Sequence, residues 1–167
     1  MDRIGAKVRT LRLLAHEWGS TPAERASPLP CDALLPGARI VVNRAVDVDA
    51  PDAATFRWLC QLRVAPYSYD LIDNFGRRSP RTLTPGTEQL EPGQRFMTIF
   101  RLHSFERDRH ITLVRGGSIA VTYRVQDGRL LMRVRTRNPR PLLPYFDLVM
   151  ARKQLLTLKQ LAETTPP

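Results

Sequence analysis

The sequence predicts one α+β domain in which a curved antiparallel sheet wraps a long C-terminal helix, with an extra amphipathic helix at the N-terminus. Three observations predict it. Between Phe96 and Thr136 apolar residues alternate in short runs, and Gly116-Gly117 and Asp127-Gly128 punctuate those runs as tight hairpin turns. From Pro144 to about Glu163 the apolar residues recur at helical spacing over a stretch too long for an ordinary strand. The chain's 167 residues, 43% hydrophobic and 25% charged, are enough for one domain with its own core and argue against wholesale disorder.

Along the chain, Ile4, Val8, Leu11, Ala15 and Trp18 fall at helical spacing, with Arg3, Lys7, Arg9 and Arg12 mainly off that stripe. This describes a basic amphipathic helix docked on its own domain. Residues 19–37 carry Pro22, Pro28, Pro30 and Pro36 and are expected as an irregular linker, so that 1–37 precedes a folded domain over 38–163. Ile40, Val42, Val46 and Val48 alternate as a first strand, which Arg44 interrupts. Pro51 and Asp52 suit a first helical turn, because proline there loses no needed hydrogen bond and the carboxylate meets the positive end of the helix dipole. A short helix through Leu62 follows, and Pro66 starts a second one that Gly76 ends.

After a loop over 77–93, Phe96, Thr98, Phe100 and Leu102 share one face of a strand. Ile111 and Leu113 mark the next, and Ile119, Val121, Tyr123 and Val125 a third. In the last, Leu130, Met132, Val134 and Thr136 oppose Arg129, Arg133, Arg135 and Arg137, so the sheet has an apolar side and a basic side. The C-terminal helix carries one stripe of Leu148, Ala151, Leu155, Leu158 and Ala162 and a second direction of Leu142, Tyr145, Val149 and Leu156, which predicts burial on two sides.

Strand, two short helices, antiparallel strands and a long C-terminal helix, in that order, make the layout of the helix-grip fold. Within it, Trp58-Leu59-Cys60-Gln61-Leu62 and the run from Ala65 through Pro66-Tyr67-Ser68-Tyr69-Asp70 to Asp73-Asn74-Phe75-Gly76-Arg77 resemble bacterial members of the SRPBCC superfamily, the START and polyketide-cyclase-like proteins. The likeness covers about 39–163. It implies a cavity between sheet and C-terminal helix, in a superfamily whose members include lipid carriers, receptors, aromatase/cyclases and oxygenase domains, so fold alone does not select the chemistry.

Strand parity nominates the cavity walls as Phe96, Phe100, Val121, Tyr123, Met132, Val149 and Leu156, with Thr98 and Tyr123 supplying hydroxyls. The alternative is a core packed solid with these same residues. Tyr67, Tyr69, Asp70, Asp73 and Asn74 form the densest polar and aromatic cluster. Tyr67, Tyr69 and Asp70 are expected at the cavity mouth, whereas Asp73 and Asn74 suit a structural role beside the following arginines.

Other chemistries find little support. His16, His103 and His110 have no metal-ligand spacing, and no metal or cofactor is expected. His103 and His110 flank a hairpin and would approach each other in space. There is no nucleophile elbow and no phosphate-binding glycine loop. Cys31 and Cys60 lie far apart without a Cys-x-x-Cys, which fits a reducing cytoplasm. No apolar run approaches the length of a membrane span, and the basic N-terminus lacks the features of a secretory signal.

The net charge of +10 raises nucleic acid or an anionic membrane as a partner, but only three of the 26 basic residues are lysines, and the basic sheet face offers few aromatics for base stacking. That face is expected to be solvated or partly covered by 1–18. The sequence therefore ranks binding or carriage of a hydrophobic small molecule first, a cyclase or aromatase second, and a nucleic-acid or membrane binder third.

Overall fold

The computed structural model describes residues 10, 11, 13–69, 76, 78–138 and 143–165. Its centre is a six-stranded antiparallel sheet: β1 (Ile40–Asp47), β2 (Arg95–Phe96), β3 (Phe100–Glu106), β4 (His110–Arg115), β5 (Ile119–Gln126) and β6 (Arg129–Thr136). The order across the sheet is β1-β6-β5-β4-β3-β2, so β2 to β6 follow one another as hairpins and β1 closes onto β6 from the far edge. Asp127 and Gly128, both with positive φ, form a two-residue hairpin between Gln126 and Arg129, and Gly116 and Gly117, also with positive φ, open a three-residue loop that Ser118 completes. Among the described residues no helix is long and apolar enough to cross a membrane.

One strand of the sequence reading is two. The chain reverses at Met97 and Thr98, both with positive φ, so Phe96 pairs across a hairpin with Phe100 instead of continuing through Leu102. The error is invisible in the apolar pattern, because residues four apart in one strand and residues directly opposed in a hairpin share the same face.

Two helices pack on the sheet's inner face. The first, over Asp52–Cys60, continues as a 3-10 turn at Gln61–Arg63 and buries Phe56, Trp58, Leu59 and Cys60. Asp52 fastens its start to the β5–β6 turn, its carboxylate accepting from the Asp127 and Gly128 amides at 3.0 and 3.1 Å. The expected second helix does not begin at Pro66. Residues 64–69 are irregular, Tyr67 has φ 55°, and the Pro66 carbonyl accepts from the Gln154 side chain instead of from a helical amide. Gly76 is left-handed as expected, while residues 70–75 lie outside the described residues.

The C-terminal helix runs over Leu143–Thr164 and buries Ala151, Leu155, Leu158, Leu161 and Ala162 in the core. Burial on two sides does not occur. Val149 is 53% exposed and Phe146 70%, Tyr145 is half-buried, and Leu156 packs only partly on the core. Leu142 lies outside the described residues.

The segment expected as a linker is a structured strap. It forms two helical turns, Pro22–Ala26 and Pro30–Leu34, in which each proline occupies the start of a helix, where it is tolerated, instead of breaking one. Thr21 and Glu24 cap the first reciprocally, and the Asp32 carboxylate accepts from the Leu29 amide at the second. Leu29, Cys31 and Leu35 pack on Ala45, Ala120 and Leu131 of the sheet's outer face and make a second, smaller core there.

That outer face is the basic one, and the strap rather than solvent covers it. Arg133, its side chain 4% exposed, donates to Asp32 at 2.6 Å, to Asn43 at 2.7 Å, and to the carbonyls of Glu24, Arg25 and Ser27. Arg135 reaches the other Asp32 oxygen at 2.9 Å and the carbonyls of Leu35 and Pro36. Arg129 bridges Glu24 and Asp47 at 2.9 and 2.7 Å, and those bonds raise its pKa further.

Upstream, residues 13–17 are helical with Ala15 buried, but Leu11, expected on the docking stripe, is 54% exposed, and Ile4 and Val8 lie outside the described residues. Trp18 receives the Arg152 guanidinium 5.5 Å over its ring. This segment also lines the free edge of β1, where the Ala45 amide donates to the Trp18 carbonyl and His16 Nδ1 lies 3.2 Å from the Val41 carbonyl.

Candidate functional site

The inner core is unevenly filled. Under the Asp52–Cys60 helix, Phe56, Trp58, Tyr67 and Phe96 pack tightly, with the Trp58 and Tyr67 rings edge to face at 6.0 Å. At the other end of the sheet the inward positions are Val42, Ile119, Val121 and Val134, which are smaller, and the N-terminal half of the C-terminal helix spans above them. The difference leaves a cavity of about 450 Å³, within the usual size of a small-molecule site. Met132, Phe100, Met97, Met150 and Ala151 complete its apolar wall. Thr98 and Ile99, both exposed, stand at its rim on the β2–β3 turn.

Besides the hydroxyls of Ser68, Thr98 and Thr136, polar groups enter this wall at two bonded sites. At the first, the Tyr123 hydroxyl donates to Gln154 Oε1 at 2.6 Å, and Gln154 Nε2 donates to the Pro66 carbonyl at 2.6 Å and lies 3.2 Å from Met97 Sδ. One glutamine thereby ties β5, the loop before residue 70 and the β2–β3 turn to the long helix. Burial, reinforced by the nearby Asp147 charge, pushes the Tyr123 pKa far up, so its hydroxyl keeps its proton.

The second place is an ion pair. Arg44, fully buried, donates through Nη2 to Asp147 Oδ2 at 3.2 Å and also to the carbonyls of Ala15, Asn43 and Pro144. Its Nε finds no partner among the described residues. Asp147 lines the cavity with its side chain 23% exposed, and desolvation outweighs the pull of Arg44 to push its pKa up to about 6. It contributes the one carboxylate among the described lining residues, which include no cationic side chain.

Of the residues nominated from sequence, Thr98, Phe100, Val121, Tyr123 and Met132 come together on the wall. Phe96 is fully buried behind it, paired with Phe100. Tyr67 belongs to the solid half of the core, against Trp58, instead of the mouth. Tyr69 is 39% exposed and lines no part of the cavity, and Asp70 lies outside the described residues. Val149 points away from the cavity on the exposed side of its helix, and Leu156 packs partly in the core below it.

Sequence reasoning missed Asp147, Met150 and Gln154, although 147, 151 and 154 are spaced to share one helical face. Asp147 belongs to neither apolar direction of the helix, so the pattern of apolar residues does not nominate it. Arg44, seen as a break in an alternating strand, was the signal that a counter-ion lay inside.

The histidines do not meet the cavity. His103 is exposed beside an irregularity in the β3–β4 ladder, and His110 pairs opposite Glu106 instead of His103. His110 faces a smaller cleft of about 200 Å³ with Arg109 and Arg124, and burial lowers its pKa against the pull of Glu106. No family model matches the chain, and no curated protein matches it by sequence.

Proposed function

We propose that this chain binds or carries an apolar small molecule, a lipid, polyketide or aromatic metabolite, in the cavity between its sheet and its C-terminal helix. The observation that carries the reading is an open volume of about 450 Å³ walled by aliphatic, methionine and aromatic side chains, beside the buried core around Phe56, Trp58 and Phe96. Removing an apolar guest from water supplies roughly 25 cal/mol per Å² of buried surface, so a wall of this kind gives affinity without many polar contacts. In this reading the fold is a helix-grip of the SRPBCC kind, as the element order and the Trp58 to Arg77 resemblance suggest. The two free, buried cysteines fit a reducing compartment. Native mass spectrometry of the purified protein, followed by organic extraction, tests it. A reproducible copurified apolar compound is expected; emptiness against a broad lipid and aromatic panel overturns it.

One observation favours a cyclase or aromatase as the second reading: the Asp147 carboxyl stands at the cavity wall and burial pushes its pKa up to about 6, the direction that suits proton transfer. Turnover of candidate polyketides, abolished in Asp147→Asn while the variant still folds, is the result that distinguishes an enzyme from a carrier. Phosphate binding through Arg129, Arg133 and Arg135 is disfavoured, because these arginines already hold the strap.

A further inference from the structure

The cavity's polar character is lopsided. Its described lining offers a carboxylate, at Asp147, and hydroxyls, at Ser68, Thr98, Tyr123 and Thr136, but no cationic side chain. Arg44, paired with Asp147, is fully buried and spends its Nη groups on that carboxylate and on three carbonyls. Tyr123 gives its proton to Gln154, and the Thr136 oxygen accepts from the Asn138 amide. Asp147 Oδ1, in contrast, makes no hydrogen bond among the described residues. The strongest acceptor presented to a guest is therefore half of a carboxylate whose charge is already balanced.

We propose that the cavity selects uncharged apolar molecules that end in a hydrogen-bond donor, an alcohol or phenol, which donates to Asp147 Oδ1. The inference rests on the cavity being a ligand site and names the class of guest. A neutral donor fits the balance of charge. An alkylammonium would add a second cation beside Arg44 against a single carboxylate. A fatty-acid or aromatic carboxylate would bring a second anion to Asp147 and surrender its hydration for hydroxyls alone. A hydroxyl donating to an ionised acceptor is among the stronger hydrogen bonds, and the apolar surroundings strengthen it. Arg44 is a positioning residue: anchored to Ala15, Asn43 and Pro144, it fixes where the carboxylate sits.

The test is a matched series of one apolar body with different ends, naphthalene, 2-methoxynaphthalene, 2-naphthol and 2-naphthoate, titrated calorimetrically into the full chain at pH 7.5. The expected order puts 2-naphthol at least about tenfold tighter than its methoxy counterpart, which has the oxygen but no proton to donate, and 2-naphthoate weakest. In Arg44→Met/Asp147→Leu, which exchanges the ion pair for apolar side chains, a change often tolerated by folds, the ratio of naphthol to methoxynaphthalene affinity should fall to near one. If naphthalene and its methoxy derivative bind but naphthol is no tighter, or naphthoate is the tightest, the donor assignment is wrong while the cavity reading stands. A naphthol preference that survives in the double variant also overturns it, since the acceptor then lies elsewhere. Should no member of the series bind, the cavity reading and this inference fall together.

Discussion

Replacing Arg133 by methionine keeps the apolar stem of the side chain and removes the guanidinium. In the folded chain that group is 4% exposed and ends on the Asp32 carboxylate, the Asn43 side chain and the carbonyls of Glu24, Arg25 and Ser27. Breaking a buried, hydrogen-bonded ion pair from one side costs about 3–5 kcal/mol. Arg135 still neutralises Asp32 and the strap carbonyls can reach water, which places Arg133→Met toward the lower end; Asn43, only 7% exposed, cannot be rescued in the same way. For a chain of this size each kcal/mol lowers the melting temperature by about 2–4 °C, so a loss of about 6–12 °C is expected. Thermal and urea unfolding followed by circular dichroism measure it, with Arg101→Met as a control: that side chain is exposed and bonds only the Gly93 carbonyl, and its loss should cost less than about 0.5 kcal/mol. If the two variants melt together, the arginines of the outer face do not hold the strap and the account of that face is wrong.

Three further outcomes follow from the geometry. Gly19 has φ +72° and a Cβ there would run into the Ala45 carbonyl, whereas Gly117, at φ +65°, faces open space; Gly19→Ala should cost at least about 3 kcal/mol and Gly117→Ala about 1 kcal/mol in urea unfolding, and equal costs would refute the tight approach at Gly19. Tyr123→Phe leaves Gln154 Oε1 without its donor in a buried site and should lose about 1–3 kcal/mol in the same assay, a neutral result contradicting the bridge. For Asp147 the folded pKa of about 6 lies above its ordinary value of 3.8, so the folded state holds the proton more tightly than the unfolded one. Its contribution is therefore fully present below about pH 4 and is lost as pH rises through 6, by up to about 3 kcal/mol. Asp147→Asn, a neutral isostere, should match the native protein near pH 4 and lack the fall between pH 4 and 7, and parallel pH profiles for the two proteins would sink the assignment.

Periodicity and turn chemistry made most of the sheet legible. The Gly116-Gly117 and Asp127-Gly128 turns and the alternation of β5 and β6 depend on local backbone geometry, which the residues declare. The β2–β3 reversal did not declare itself, because Met97 and Thr98 are poor left-handed residues and their conformation is imposed from outside, Met97 donating its amide to the Leu62 carbonyl. The strap was hidden for another reason. Prolines read as breakers when counted and as helix starts only when their place is known, and the pairing of Arg133 with Asp32 spans 101 residues. At the cavity, strand parity locates Val121, Tyr123 and Met132, but the pattern does not tell that Val149 faces out and Asp147 faces in, because a helix with apolar residues on several sides does not announce which side the sheet will cover.

The outer edge of β1 has a consequence for how this protein behaves in a crowd. An unpaired strand edge is a template on which another chain can add, yet here the Ala45 amide is taken by the Trp18 carbonyl, His16 stands at the Val41 carbonyl, Arg44 Nη1 occupies that of Asn43 and Lys159 Nζ that of Asp47. Three of those four stoppers are cationic or polar side chains, and two come from the stretch just before the strap. Clipping the chain between the strap and β1 would thus do more than loosen a cover: it would free the Ala45 amide and the Val41 carbonyl, leave Arg44 and Lys159 as the remaining stoppers, and make the molecule more prone to stacking on its neighbours.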